Sequence, residues 1–184
     1  MRPGCPWCES SVRIERLDET HPRSAFRCGV DALDTWFREH ALTAQSQDTA
    51  RTFVLVDDDG EVAGYYSLTM GNVERARAPA RLVRGLPRFP VPIVLLARLA
   101  LDVRWQGRGL GAGLLFEALH RASLAAEHAA ARLIAVDRVN DEARSFYGRW
   151  GFKPVDGDDR GRMFIRTRDA LASLPVDYGE TTER

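Results

Sequence analysis

The stretch Trp105-Gln106-Gly107-Arg108-Gly109-Leu110-Gly111-Ala112-Gly113 sets glycines at every second position where an apolar run, Ile93 to Leu101, gives way to a segment of helical periodicity. Glycines at a strand-to-helix junction let the backbone N–H groups of the helix start reach phosphate oxygens that side chains would otherwise keep away. The chemistry is that of a pyrophosphate cradle. Taken as G-x-G-x-x-A, with Gly107, Gly109 and Ala112, the stretch fits a loose dinucleotide fingerprint, and Asp137 on the next strand supplies a ribose acid. A dinucleotide fold needs several further strand and helix units, whereas only about seventy residues follow, with two short strand-like runs among them.

The elements that must position this loop are legible around it. Ile93 to Leu101 has the length and branched residues of a buried strand. After the loop, Leu110, Leu114, Leu115, Ala118, Leu119 and Ala122 fall at helical spacing. Leu133 to Val136 is the next strand. Asn140 is an N-cap residue for a short helix through Ala143, Phe146, Tyr147 and Trp150 that ends at Gly151, and Phe152 and Met163 to Ile165 supply the last strands. Upstream, Val12 to Leu17 alternates as a half-buried strand. Phe26-Arg27-Cys28-Gly29 is a turn with Gly29 at its unusual backbone angle. Asp31 then precedes a helix whose apolar face is Val30, Leu33, Trp36 or Phe37, and Ala41. Thr52 to Val56 and Val62 to Leu68 flank Asp57-Asp58-Asp59-Gly60 as a hairpin with a solvated acidic turn.

With 184 residues the expectation is one domain over 12–174, an extension at 1–11 outside the fold, and a loose tail at 175–184. Cys5-Pro6-Trp7-Cys8 lacks the preceding strand of a redox pair and the second pair of a zinc ribbon, so no metal site is expected. Formal net charge is zero, which implies no bulk attraction to nucleic acid or membrane. No run approaches a membrane span and no signal-peptide core is present, so the expected location is cytoplasmic. Positive charge is nevertheless concentrated locally. From Arg75 to Leu101 there are arginines at 75, 77, 81, 84, 88 and 98 and no Asp or Glu, in a segment that prolines at 79, 87, 90 and 92 make irregular. Arg75, Arg77, Arg81, Arg84 and Arg88 are either a solvated loop or a phosphate-contact surface for RNA.

Read as Q-x-x-G-x-G, with Gln106, Gly109 and Gly111, the loop resembles the acetyl-coenzyme A signature of GNAT-type N-acetyltransferases. The resemblance extends over roughly residues 12 to 170. Its matching residues are Phe26-Arg27-Cys28-Gly29 with Leu33-Asp34-Trp36, Gly64-Tyr65-Tyr66, Arg98-Leu99-Ala100-Leu101-Asp102, the glycine loop, and Ala143 with Phe146-Tyr147 ahead of Trp150-Gly151-Phe152. In this order they are similar to the GNAT toxins of toxin-antitoxin modules, which acetylate the amino group of aminoacyl-tRNA. The resemblance implies an α/β (α+β) GNAT fold, with a mixed, mostly antiparallel sheet, flanking helices and a splayed parallel pair, Leu95 to Leu101 and Leu133 to Val136, holding acetyl-CoA. It implies cofactor contacts at Leu99, Ala100, Leu101, Gln106, Gly107, Arg108, Gly109, Leu110 and Gly111, and at Asn140, Ala143 and Phe146. It also implies Tyr147 as the phenol that protonates or hydrogen-bonds the leaving thiolate, a cognate antitoxin, and a homodimer.

The general base stays open. A lysine amine, at about 10.4, needs a strong deprotonation device, whereas an α-amino group near about 8 is substantially neutral at physiological pH, and an aminoacyl ester lowers it further. The strand Ile93 to Leu101 carries no carboxylate, and Asp102 lies at its far end, which favours a low-pKa amine, with Glu61, Asp34 or a water chain as remaining bases. Arg98, alone in that apolar run, needs a partner or a route to solvent. Facing the cleft it would bind a pyrophosphate or tRNA phosphate; facing outward it would be an ordinary sheet cation.

Overall fold

The computed structural model describes residues 12–155 and 161–172, so the expected extension with Cys5 and Cys8, and the expected tail, lie outside the described residues. The elements in order are β1 (Val12–Arg16), α1 (Asp31–Thr35), a π turn (Trp36–His40), α2 (Ala41–Ser46), β2 (Arg51–Asp57), β3 (Val62–Val73), β4 (Val91–Leu101), α3 (Leu110–Ala129), β5 (Leu133–Asp137), α4 (Asp141–Arg149), β6 (Lys153–Pro154), β7 (Arg162–Arg166) and α5 (Thr167–Ala172). The strands form one sheet in the order β1-β2-β3-β4-β5-β7-β6. Among the described residues no helix is long and apolar enough to cross a membrane. The described residues pack as two compact units, one of 12–67 and 98–117, the other of 68–97, 118–155 and 161–172.

In the first unit β1 and β2 pair antiparallel from Val12↔Asp57 to Arg16↔Phe53. The acidic turn after β2 is structural: Asp57 accepts from the N–H groups of Asp59 and Glu61, and Gly60 takes φ +79. Phe37 and Ala41 are fully buried, while Trp36 packs only at the edge of the same core. At about 100° per residue Leu33, Phe37 and Ala41 fall within one apolar face with Phe37 at its centre, whereas Trp36 lies about 100° away at its edge. The π turn lies within this segment, over Trp36–His40. Tyr65 of β3 stacks on Phe37 at 4.3 Å and 11°, meets Phe26 edge-on at 5.3 Å, and donates its hydroxyl to Leu33 O at 2.9 Å.

The turn before α1 is the hub of this unit. Arg38 donates to Phe26 O (3.2 Å), Val103 N to Arg27 O (2.7 Å) and Gln106 Nε2 to Cys28 O (2.9 Å). Arg27 N donates to Asp102 (3.0 Å) and Cys28 N to Asp34 (2.7 Å). Gly29 closes the turn at φ +90. Asp102, 1% exposed, also accepts from Arg104 N (3.0 Å) and Arg104 Nε (2.8 Å). Burial raises its carboxyl, but these hydrogen bonds outweigh burial and hold it below its ordinary value. A close approach sits beside the hub. A Cβ on Gly64 would stand 2.6 Å from Leu101 Cδ2 and 3.0 Å from Ala100 O.

In the second unit β4 and β5 run parallel from Ile93↔Leu133 to Leu96↔Val136, and β7 pairs antiparallel with β5 and with β6. Phe152 falls just before β6 rather than in a strand, and it is buried. The arginine-rich segment is anchored from below: Ala78, Leu82 and Val83 are buried with Val73, Val91, Ile93 and Phe164.

Two outcomes follow for stability. Gly64→Ala lowers unfolding free energy by about 1–3 kcal/mol, read from urea denaturation, because backbone as well as side chain stands in the way. Asp102→Asn costs about 2 kcal/mol at neutral pH by setting an amide against N–H donors. Because the folded carboxyl is depressed, its contribution is full above the unfolded value of about 3.9 and is lost as pH falls through the lower folded value. The variant's stability curve is accordingly flatter than the parent's below about pH 4.

Candidate functional site

In the first unit, Gly107 and Gly109 adopt φ +75 and +78, where any other residue is strained, and a Cβ on either would meet nothing within 4 Å. The glycines therefore serve the backbone angle and leave open space over the loop. Gly109 delivers the chain into α3, whose 20 residues align their dipoles behind the free N–H groups at Leu110 and Gly111. Leu110 itself is buried and pins the helix start, and Gly111 clears Leu101 Cδ1, which a Cβ there would meet at 3.7 Å. This geometry fits a pyrophosphate. Gln106 anchors the loop through its side-chain amide. Its Nε2 donates to Cys28 O and Leu101 O, both at 2.9 Å, so the side chain ties the loop to the hub and to the end of β4. Arg108 is exposed and lies over Trp105 at 4.9 Å.

Along β4, Leu101 O is thus already taken, whereas Leu99, Ala100 and Leu101 lie beyond the last paired residue, Leu96, of the β4/β5 register. Arg98 finds its partner in Trp36, with Cζ 4.0 Å from the ring centroid. Burial lowers its pKa and the Tyr65 phenol raises it, with burial the larger. The candidate bases are mostly committed: Asp34 to Cys28 N, Asp102 to Arg27 and Arg104, and Glu61 to Arg104 at 4.0 Å.

In the second unit Asn140 caps α4, its Oδ1 accepting from Ala143 N at 2.7 Å. Tyr147 is 7% exposed and wedged edge-on between Phe146 (5.3 Å) and Phe152 (5.7 Å). Burial pushes its phenol up to about 12, so the hydroxyl keeps its proton at neutral pH and is a donor. Asp137, offered as a ribose acid, is engaged at both oxygens by Arg162 (2.6 and 2.7 Å), which removes the dinucleotide alternative. Of the arginine-rich segment, Arg77, Arg81, Arg84 and Arg88 are exposed. Arg75 instead closes the loop by donating to Leu86 O at 2.9 Å. Trp36 and Asp102 carry roles that sequence spacing did not single out, since Arg98 and Arg27, which they engage, lie far away along the chain.

Comparison with known proteins gives this geometry a family. The Acetyltransferase (GNAT) family model matches residues 14–152. The chain is 39% identical over 159 residues to a tRNA-acetylating toxin of Mycobacterium tuberculosis (strain ATCC 25618 / H37Rv), covering 86% of this chain and 94% of the relative. AtaT complexed with acetyl-methionyl-tRNAfMet is similar at TM-score 0.79 and 28% identity, covering 88% of this chain and 98% of that one. A tyrosine-to-phenylalanine variant of AtaT, bound to the C-terminus of the antitoxin AtaR and to acetyl-CoA, is similar at TM-score 0.74 and 26% identity, over 88% and 97% of the two chains. The cradle at the start of α3, the mixed sheet and a family match over most of the chain agree: the protein belongs to the GNAT family of N-acetyltransferases, with acetyl-CoA as its cofactor.

Proposed function

We propose that the protein is a toxin that acetylates the α-amino group of aminoacyl-tRNA and so removes the amine on which peptide-bond formation depends. The observation that carries this reading is the likeness, along nearly the whole relative, to a tRNA-acetylating toxin. The chain's own chemistry supports it. Acetyl-CoA supplies an activated acetyl thioester. The N–H groups from Gly107 to Gly111 hold its pyrophosphate, with Arg108 beside them, and Leu99, Ala100, Asn140, Ala143 and Phe146 contact the rest of it. Residues 12–174 then constitute one catalytic domain acting in the cytoplasm, where its acceptor and a cognate antitoxin are found, as a homodimer.

Tyr147 donates its phenolic proton toward the departing sulfur. The proton that the sulfur finally keeps comes from the attacking nitrogen, so Tyr147 is neutral before and after the step. With Asp34 and Asp102 committed to backbone N–H groups, Glu61 and a water chain remain as bases, and the acceptor that suits the site is one that reaches its neutral form largely by its own pKa. An α-amino group on an ester does so near neutral pH, and a lysine does not. The exposed guanidinium groups of Arg77, Arg81, Arg84 and Arg88 meet RNA phosphates.

The test is transfer of labelled acetyl from acetyl-CoA to a mixed pool of charged tRNA. Label on the aminoacyl group is expected, and Tyr147→Phe lowers kcat by about 100-fold or more while acetyl-CoA affinity changes little. Label on small amines or protein N-termini with none on tRNA would replace the toxin reading with that of a general GNAT enzyme. The pH profile follows from the two groups. The rate climbs as the amine deprotonates, up to about pH 8, and shows no loss from Tyr147 before about pH 11. Gly109→Ala weakens acetyl-CoA binding measured by calorimetry and costs about 1–2 kcal/mol of stability, the strain of a left-handed angle rather than a clash.

A further inference from the structure

We propose that Arg98, held on the face of Trp36, is the seat of one phosphodiester of the acceptor RNA, distinct from the pyrophosphate cradle; this rests on the RNA reading above. The guanidinium carbon stands 4.0 Å from the Trp36 ring centroid. Trp36 in turn stacks on Tyr65 at 6.0 Å and 21°, and Tyr65 is fixed by its hydrogen bond to Leu33 O. The cation is therefore immobilised on one face. Its in-plane N–H groups have no acceptor among the described residues, although the side chain is partly buried. The carboxylate nearest in sequence to Trp36, that of Asp34, is spent on Cys28 N. A half-buried cation stacked on an aromatic face, with no hydrogen-bond acceptor and no carboxylate partner among the described residues, is a site for an anion.

Strand alternation separates this site from the cofactor cradle. Ala100 lies in the core with Phe37 and Tyr65, and Arg98, two residues away, reaches Trp36 of the same helical segment. Leu101 points the other way, against Gly64 and against Gly111 at the start of α3. Arg98 and the cradle thus serve opposite faces of β4. The anion at Arg98 then belongs to the acceptor. In an aminoacyl ester the carboxyl group is consumed, so the acceptor's anions are its phosphates, and the planar fork of arginine suits two phosphate oxygens.

The experiment compares the full chain with Arg98→Met, which keeps the apolar stem over Trp36, and with Arg98→Lys. Each is assayed with charged tRNA over a range of salt, with acetyl-CoA by calorimetry, and with a 3′-O-aminoacyl adenosine that has no phosphate. Arg98→Met is expected to raise KM for charged tRNA about ten-fold or more. It should also reduce the slope of log affinity against log salt by about 0.7, one single-strand phosphate. Acetyl-CoA affinity and turnover of the phosphate-free ester stay at the parent's values, and Arg98→Lys restores part of the loss. A fall in acetyl-CoA affinity with RNA parameters intact would move the anion to the cofactor and overturn the proposal. So would equal losses on the phosphate-free ester, or a lowered melting temperature with no change in tRNA kinetics. A parent protein that labels no charged tRNA overturns both this and the reading it rests on, whereas a parent that labels tRNA and a methionine variant that matches it overturn this one alone.

Discussion

The main-chain groups of Phe26, Arg27 and Cys28 must be satisfied, and apart from Phe26 N, which donates to Arg23 O, their partners come from other segments of the first unit. Asp34 comes from α1, Arg38 from the π turn, Asp102 and Val103 from the end of β4, and Gln106 from the glycine loop. Buried backbone N–H and C=O groups are costly to leave unpaired, about 1–3 kcal/mol each. The turn therefore acts as a template rather than a connector. The glycine loop is tied in place by the Gln106 side chain, which donates to a carbonyl 78 residues earlier. Asp102 is the counterpart on the strand: one carboxylate, shielded from solvent, joins the hub to Arg104 and stops β4 where the loop must begin.

The end of β4 is asked to serve two faces at once. Leu101 packs toward α3 and holds the helix start beneath the cradle, while Ala100 and Arg98 face the aromatic core built on Phe37 and Tyr65. Gly64 permits this by letting the neighbouring strand come close enough that even a methyl group would collide with main chain. The arginines divide by the same logic of local partners. Arg75, Arg104 and Arg162 are spent on a carbonyl or a carboxylate that fixes the fold, and Arg77, Arg81, Arg84 and Arg88 stand in solvent above a floor of Ala78, Leu82 and Val83. A cluster of like charge is tolerated there because solvent screens it.

What was legible in the sequence is what short-range physics controls. The glycine loop, the Asn140 cap, the Asp57 to Gly60 turn, Gly29 and the end of α4 at Gly151 each depend on residues within a few positions, and each is where its residue types place it. The choice between Trp36 and Phe37 was left open by the three- and four-residue spacing, and both rings reach Tyr65; the fold buries Phe37 and leaves Trp36 at the edge of the core. Asp137 looked available as a ribose acid until the β5/β7 register set Arg162 opposite it. Gln106 matches a ligand-binding signature, yet its amide is engaged by two carbonyls, a role that only the folded hub defines. Arg98 announced itself as an arginine in an apolar run, but its partner Trp36 is 62 positions away, beyond any periodicity. The sequence therefore conveyed the cradle and its strand and helix in outline, and left the side-chain commitments around them to tertiary structure.

Those commitments narrow the acceptor by energy rather than by shape. At pH 7 a free lysine amine, with a pKa near 10.4, is neutral in roughly one molecule of 2,500, and an α-amino group near 8 in about one of ten. The difference, about 3 kcal/mol, must come from a general base if lysine is the substrate. Asp34 and Asp102 cannot supply it while they hold Cys28, Arg27 and Arg104, and giving up those bonds would loosen the hub that positions the glycine loop. Tyr147 cannot supply it either, since burial keeps its phenol protonated. With those three groups engaged, the amine that asks least of the chain is one basic enough to attack and acidic enough to be free. The amino group of an aminoacyl ester, the proposed acceptor, meets both conditions, so the carboxylates that hold the hub together need not be released for it to react.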